Sequence, residues 1–306
     1  MKVLLVDNSN DRQLISECLQ QSGFDFSVVE NATDAWQLFQ APDSPALILI
    51  DWVLPGIEGI ELCRKVRTLE SSGKYVYIVM LTAKDRKQNL LSAIEAGADD
   101  YLAKPVDASE LKARILVGKR ILDLQESVRF CATHDFLTDL LNRAEILASL
   151  ERELARTQRE GKSAGVIMAD LDCLKLVNDT LGYSSGDAVV AEVATKLKAD
   201  LRPYDLAGRY GGEEFLLVLP GCDLTNAVRR ADQIRRLVAS SAIVTPAGPV
   251  SATLSMGVTV TNCDPDPTIE TLLQSAYVAL YRAKKAGRNR VEAFSRTVRS
   301  AELLTN

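Results

Sequence analysis

The chain carries a single histidine, His134, in 306 residues. That scarcity excludes a metal centre built from several imidazoles. His134 also lies outside any motif suited to phosphate transfer, which argues against a histidine kinase. Six cysteines (Cys18, Cys63, Cys131, Cys173, Cys222, Cys263) include no Cys-x-x-Cys pair, the usage of reduced, mostly structural thiols. There is no basic surplus: a formal charge of −5 offers no field for nucleic acid. There is no apolar run near the roughly 20 residues a membrane span needs. The opening Met1-Lys2-Val3-Leu4-Leu5-Val6-Asp7 begins like a leader peptide, but an acid follows after four apolar residues. The expectation is a cytoplasmic protein with neither membrane nor nucleic acid as partner.

What is present is enough chain for two domains, each with its own core. From residue 1 to about 118, short apolar strands (Val3 to Val6, Phe26 to Val29, Ala46 to Ile50, Val76 to Leu81, Asp100 to Ala103) alternate with amphipathic helices. This is the pattern of a parallel sheet covered on both faces, whose ligand site lies at the carboxyl ends of the strands. Polar groups arrive at that edge: Asp7-Asn8 after the first strand, Asp51 after the third, Thr82 after the fourth, and Lys104-Pro105 after the fifth. An acid, a hydroxyl and an ammonium converging on one edge resemble the site of a response-regulator receiver. The resemblance implies a doubly wound, five-stranded, flavodoxin-like α/β fold. Asp51 would accept a phosphoryl group from a cognate histidine kinase. Asp7, Asp51 and the Val53 carbonyl would hold Mg²⁺, and Thr82 and Lys104 would bind the phosphate oxygens. A cis Lys104-Pro105 bond is also implied. Asn8 stands where the family places a metal-ligating carboxylate, which weakens the expected Mg²⁺ binding.

Residues 107–134 read as one long helix with no proline. Val117, Ile121, Leu124, Val128 and Cys131 recur at alternating spacings of four and three, a heptad seam between polar flanks. The expectation is a linker and homodimerising stalk.

The third stretch centres on Arg209-Tyr210-Gly211-Gly212-Glu213-Glu214-Phe215, which runs into an apolar strand. Two glycines there predict a tight hairpin whose turn uses positive φ, with the two acids pointing to opposite faces of the following strand. A second acid pair, Asp170 and Asp172, follows an apolar strand from Gly165 to Ala169. Asp170 and Glu213 together suit Mg²⁺, which takes oxygen ligands alongside substrate phosphates. On residue types alone Asn178 and Asp187, beside glycines, are turn formers. Lys284 and Arg288, four apart near the end of a helix from about Ile269, are expected on one helical face, suited to a triphosphate.

The segments Asp135-Phe136-Leu137-Thr138-Asp139-Leu140-Leu141-Asn142-Arg143 and Lys175-Leu176-Val177-Asn178-Asp179-Thr180-Leu181-Gly182-Tyr183-Ser184-Ser185-Gly186-Asp187, with the hairpin, resemble the GGDEF diguanylate cyclases over residues 135–297. The resemblance implies a ferredoxin-like α+β fold related to polymerase palms, condensation of two GTP into cyclic di-GMP, and a homodimer in which each copy holds one GTP. Asp170, the Leu171 carbonyl and Glu213 would hold the metals, with Glu214 auxiliary. Lys175, Lys284 and Arg288 would contact phosphate, Asn178 and Asp187 the guanine, and Gly211-Gly212 would line the nucleotide. Gly211 follows Arg202 by nine positions, the family spacing for an inhibitory Arg-x-x-Asp site, here Arg202 and Asp205, completed by an arginine between Arg229 and Arg236. Departures are Ala144, Leu174, Tyr183 in place of histidine, and Tyr277 in place of aspartate. The alternative is a silent receptor for cyclic di-GMP; silent members usually lose the acid at the hairpin, and Glu213 is intact. Residues 298–306 read as a tail.

Overall fold

The computed structural model describes residues 1–41, 44–69, 75–83, 87–262 and 267–294. The expected tail, residues 298–306, and Cys263 lie outside the described residues. The chain divides into two compact units, Met1–Arg129 and Phe130–Asn306.

In the first unit β1 (Lys2–Val6), α1 (Asp11–Gln21), β2 (Asp25–Val29), α2 (Ala32–Gln40), β3 (Leu47–Asp51), α3 (Gly59–Leu69), β4 (Tyr77–Ala83), α4 (Lys87–Glu95) and β5 (Asp100–Lys104) alternate strictly. The strands form an all-parallel sheet in the order β2-β1-β3-β4-β5. Alternate residues of the central strands feed two cores. Leu4, Val6, Ile48 and Ile50 pack on one face, and Val3, Leu5, Leu47 and Leu49 on the other. Burial on both faces is why these strands read as unbroken apolar runs rather than as alternating ones. The order places β1 and β3 side by side, so Asp7 and Asp51 leave neighbouring strand ends.

Helix α5 (Ala108–Thr133) links the two units. Leu111, Ile115 and Gly118 are buried, and Ile121 and Leu122 pack against the core of the first unit. The other members of the heptad seam are open in the single chain: Val117, Leu124 and Val128 are 49, 59 and 66% exposed.

The second unit contains α6 (Arg143–Glu160), β6 (Ala164–Leu171), α7 (Leu174–Leu181), α8 (Tyr183–Asp200), β7 (Leu206–Gly211), β8 (Glu214–Pro220), α9 (Leu224–Ala239), β9 (Ile243–Thr245), β10 (Gly248–Val250), β11 (Leu254–Val260), α10 (Ile269–Lys285) and β12 (Val291–Ala293). Its main sheet has the order β12-β11-β6-β8-β7, with β6 antiparallel to both neighbours. Strand parity again sorts the layers. Ile167, Ala169, Phe215 and Leu217 join the core that α8 and α9 cover, whereas Val166, Met168, Leu216 and Val218 meet Ala276 and Leu280 of α10. Helix α10 lies so close to β11 that a methyl group added at Gly257 would stand 2.1 Å from the Ala276 carbonyl oxygen. Every residue of β6 is buried. Asp170, on the parity of Val166 and Met168, therefore puts a carboxylate under α10.

Candidate active site

Asp170 is 3% exposed and its Oδ2 lies 2.7 Å from Nζ of Lys284. Burial pushes its carboxyl above the ordinary value; Lys284 opposes that push, and the carboxylates of Glu214 and Asp172 add to it. Asp170 belongs to β6 itself rather than to a loop after it, and pairs across the ladder with Glu214.

The hairpin differs from expectation in three respects. Strand β7 runs to Gly211 and β8 begins at Glu214, with Gly211 opposite Glu214. The turn is therefore Gly212-Glu213, so Glu213 sits in the turn and only Glu214 leaves on the strand. Neither glycine has a positive φ, so the turn does not use the left-handed backbone that primed hairpin turns require. A side chain at Gly212 would meet nothing within 4 Å, and one at Gly211 only Glu214 Oε2 at 3.7 Å. The protein itself thus gives no steric reason for either glycine. The turn is fixed from both sides: Arg209 donates to the Gly212 carbonyl at 2.8 and 3.0 Å while pairing with Asp135 at 3.2 Å, and Leu171 N–H donates to the Glu213 carbonyl at 3.1 Å. Glu213 also sits above its ordinary value, first through burial and then through Asp170.

Among the described residues no group of three or more His, Cys, Asp or Glu converges on one point. The expected donors, Asp170, Glu213 and the Leu171 carbonyl, include two carboxylates, and burial and the Asp170 charge hold the Glu213 carboxyl above its ordinary value. A buried acid and a half-buried one, the first already drawing an ammonium to 2.7 Å, fit a divalent cation that takes few carboxylates and keeps room for phosphate oxygens.

Glu214 faces elsewhere. Its Oε2 accepts from the Tyr277 hydroxyl at 2.9 Å. Tyr210 stands edge-on to Tyr277 at 6.2 Å, and the Arg143 guanidinium lies 4.6 Å over the Tyr210 ring. Burial and Glu214 hold the Tyr277 phenol above its ordinary range, so it stays a donor. The tyrosine that departs from the family pattern thus orients the second hairpin acid.

The cations are arranged differently from expectation. Helix α10 ends at Lys285, and Gly287, Arg288 and Asn289 follow with φ of +109, +60 and +45°. Lys284 points at Asp170 from the helix, whereas exposed Arg288 belongs to the loop beyond it; the two do not share a helical face. Lys175, at the start of α7, is exposed. Asn178, late in α7, is half-buried and presses on α8: a methyl group at Gly186 would fall 1.8 Å from its Oδ1. Asp187 follows on the exposed side of α8. Gly186 and Asp172 escaped the sequence reading as functional positions. Gly186 lies inside the Lys175–Asp187 motif, and Asp172 was noted only as the second acid after the β6 strand.

On the far side of the unit Arg202 is exposed and Asp205 is 8% exposed. Asp205 Oδ2 accepts the Arg202 N–H at 3.0 Å and lies 3.7 Å from Arg230, whose guanidinium also pairs with Asp200 at 3.1 Å. Asp205 Oδ1 and Arg230 Nε lack hydrogen-bond partners. Of the arginines considered, Arg230 is the one beside Asp205. A groove of about 380 Å³ lined by Arg156, Lys162, Arg202 and Tyr204 opens alongside.

In the first unit Lys104 Nζ reaches Asp51 Oδ2 at 2.8 Å, Asp7 Oδ1 at 3.3 Å and Ser9 Oγ at 2.8 Å. Asp51 is held above its ordinary value by burial, against the pull of Lys104. The Val53 N–H bonds to its carboxylate. Thr82 is buried at the end of β4, Asn8 and Val53 are exposed, and Lys104-Pro105 is cis. The two acids and the ammonium do converge. Oxygen donors from two strand ends fit Mg²⁺, with Asn8 placed outward and uncharged.

Both units match known families. Residues 132–290 match the model described as the diguanylate cyclase GGDEF domain, and residues 3–116 the response regulator receiver domain. The chain belongs to the GGDEF family and carries a receiver ahead of that domain. It is 31% identical over 300 residues to the response regulator PleD of Caulobacter vibrioides, an alignment covering 95% of this chain and 65% of that protein. It therefore spans just under two thirds of that relative's length. The coiled coil and GGDEF domain of DgcB from Caulobacter crescentus, solved in complex with c-di-GMP, is 30% identical with a TM-score of 0.55, over 60% of this chain and 97% of that one. Diguanylate cyclase SiaD of Pseudomonas aeruginosa, solved with its activator SiaC, is 28% identical with a TM-score of 0.52, over 94% and 92% of the two chains. No helix among the described residues is long and apolar enough to cross a membrane.

Proposed function

We propose that the chain is a diguanylate cyclase that joins two GTP molecules into cyclic di-GMP with release of two pyrophosphates. The observation that carries this reading is Asp170, a carboxylate buried at the end of β6 under Lys284 and electrostatically coupled to Glu213 in the hairpin turn. Asp170, Glu213 and the Leu171 carbonyl would hold Mg²⁺, with Glu214 as an auxiliary group. When bound, the metal supplies polarisation of the α-phosphate and acidification of the attacking 3′-hydroxyl. Asn178 and Asp187 hold the guanine edge. Lys175, Lys284 and Arg288 neutralise the triphosphate, and the bare Gly211-Gly212 backbone admits it closely. Each copy binds one GTP, so the reaction needs two copies facing each other. The open seam of Val117, Leu124, Val128 and Cys131 supports a homodimeric stalk.

Control enters through the receiver. Asp51 takes a phosphoryl group from a histidine kinase, with Asp7 and the Val53 carbonyl completing a Mg²⁺ site. Thr82 and Lys104 contact the phosphate, releasing Lys104 from its present bridge between the acids. Product feeds back at Arg202 and Asp205, with Arg230 beside them; the unpartnered Asp205 Oδ1 and Arg230 Nε support a ligand there. The test is incubation with GTP and Mg²⁺, with and without beryllofluoride as a phosphate mimic. Cyclic di-GMP formed faster with beryllofluoride is expected. No product in either condition would overturn the enzyme, and equal product in both would overturn control through Asp51.

A further inference from the structure

The loop that presents Arg288 is built against its own backbone preference. Arg288 and Asn289 are non-glycine residues at φ +60 and +45°, directly after Gly287 at +109°. Side chains disfavour that region because Cβ crowds the carbonyl oxygen, so such a run persists only where surrounding contacts hold it. Two sets of contacts do so. Arg288 N–H donates to the Ala283 carbonyl at 3.1 Å, which ties the loop back to α10. Asn289 N–H donates to Asp172 Oδ2 at 3.1 Å, while Asn289 Oδ1 accepts from Arg235 Nη1 at 2.8 Å. Arg235 is itself fixed on α9 by Asp232 at 2.8 Å.

Asp172 is the centre of this arrangement. Beyond Asn289, its Oδ2 accepts from Thr253 Oγ1 at 2.7 Å and its Oδ1 from Ser255 Oγ at 2.6 Å, and its own N–H donates to the Thr253 carbonyl at 2.9 Å. One carboxylate thus joins the end of β6, the start of β11 and the loop after α10. It lies two residues from Asp170. Asp172 is a side-chain link between the β6 end and the loop that carries Arg288, beside the backbone bond from Met256 N–H to the Arg290 carbonyl at 2.9 Å.

We propose that Asp172 is a positioning residue for triphosphate binding. It holds the strained Gly287-Arg288-Asn289 loop so that Arg288 stands in fixed register with the Asp170 edge. It does this through hydrogen bonds and not through its charge. The inference rests on the reading of Arg288 as a phosphate contact.

An amide can reproduce the bonding. In Asp172→Asn the side-chain oxygen accepts from Thr253 and Asn289 and the NH₂ donates to Ser255 Oγ, so the three contacts are kept, the Ser255 bond with its direction reversed, while the charge is lost. In Asp172→Ala all three bonds are lost. The measurement is the dissociation constant of a fluorescent GTP analogue with an unreactive α-phosphorothioate, on the full chain, with circular dichroism to verify folding. Arg288→Ala is expected to weaken binding about tenfold or more, the scale of a charge-assisted phosphate bond. Asp172→Ala should weaken it comparably, Asp172→Asn by less than about threefold, and the Asp172→Ala/Arg288→Ala double variant no more than Arg288→Ala alone. If Arg288→Ala binds normally, the phosphate reading of Arg288 fails. If Arg288→Ala is impaired but Asp172→Ala is not, or if their effects multiply, the positioning role fails while the site survives. An Asp172→Asn variant as weak as Asp172→Ala would assign the effect to charge and overturn the proposal. Should Asp172→Ala not fold, Thr253→Val/Ser255→Ala tests the same clamp from its other side, because it removes both hydroxyls that fix the Asp172 carboxylate, with the same non-additivity expected.

Discussion

Replacing Gly186 with alanine separates folding from nucleotide binding, because the two effects carry opposite signs. Gly186 lies in the first turns of α8, where alanine is favoured over glycine by up to ~1 kcal/mol. Its added methyl would sit 1.8 Å from Asn178 Oδ1 and 2.9 Å from Asn178 Cγ, while no backbone atom outside α8 is among its nearest neighbours. The Asn178 side chain can rotate away into solvent, so the fold should survive and its melting temperature should hold or rise. On the proposed function, Asn178 would then no longer face the guanine. Leaving a base-edge group without its partner costs ~1–3 kcal/mol, about 5- to 150-fold in KM for GTP. Discrimination against ATP should narrow with it. Initial rates over a GTP series and a thermal melt on the same preparation give both numbers. Unchanged KM in a folded variant would refute guanine recognition by Asn178, and an unfolded variant would refute the claim that Asn178 is free to move.

Glu213→Gln should abolish turnover and stabilise the protein at neutral pH. The folded carboxyl is held above its ordinary 4.5, so its stabilising effect is complete below that value and lost as pH rises through the folded value. The amide escapes that loss, so the variant's advantage in a melt should grow on going from pH 4 to pH 7, and a variant less stable than wild type at pH 7 would contradict the sign. Gly257→Ala should destabilise by at least ~3 kcal/mol, because the intruding methyl meets backbone atoms of α10, Ala276 O at 2.1 Å and Leu280 N at 2.2 Å, rather than a mobile side chain. A melting point within a degree of wild type would show that α10 can shift without cost. Arg202→Ala and Arg230→Ala should both relieve inhibition by cyclic di-GMP. Only the second should lower stability, by ~3 kcal/mol, since it strips the counter-ion from Asp200 and Asp205; an unchanged inhibition curve in both would remove the feedback site.

The parallel sheet of the first unit was legible because its central strands β1, β3 and β4 are buried on both faces and so read as unbroken apolar runs. The acids at the ends of β1 and β3 follow from that order. The candidate active site was legible as a set of residues but not as geometry. Glycines in a hairpin suggest left-handed φ, yet here the ladder continues to Gly211 and closes over Gly212-Glu213 without it. Periodicity put Lys284 and Arg288 on one face because four positions make about one helical turn. What breaks that relation is the termination at Lys285 and the left-handed run after it, held by Asp172, a residue more than a hundred positions away. Contacts of that range leave no mark in a local pattern. The same holds for Tyr277, which appeared only as a missing aspartate and is in fact the donor that turns Glu214.

Both units solve one electrostatic problem in the same way. Asp51 and Asp170 each end a buried strand, and burial raises both above the ordinary carboxylate value. A carboxylate in that position needs a cation to stay ionised. In each unit a lysine from another element supplies it, Lys104 of β5 at 2.8 Å and Lys284 of α10 at 2.7 Å. On the proposed function each lysine also has a second destination, the phosphate of the incoming group. A metal arriving alone would face both the acid and its resident ammonium; a metal arriving with phosphate offers the ammonium a new partner. On the proposed function these lysine–carboxylate pairs therefore favour uptake of metal and phosphate together, as a metal–nucleotide complex rather than as the free ion.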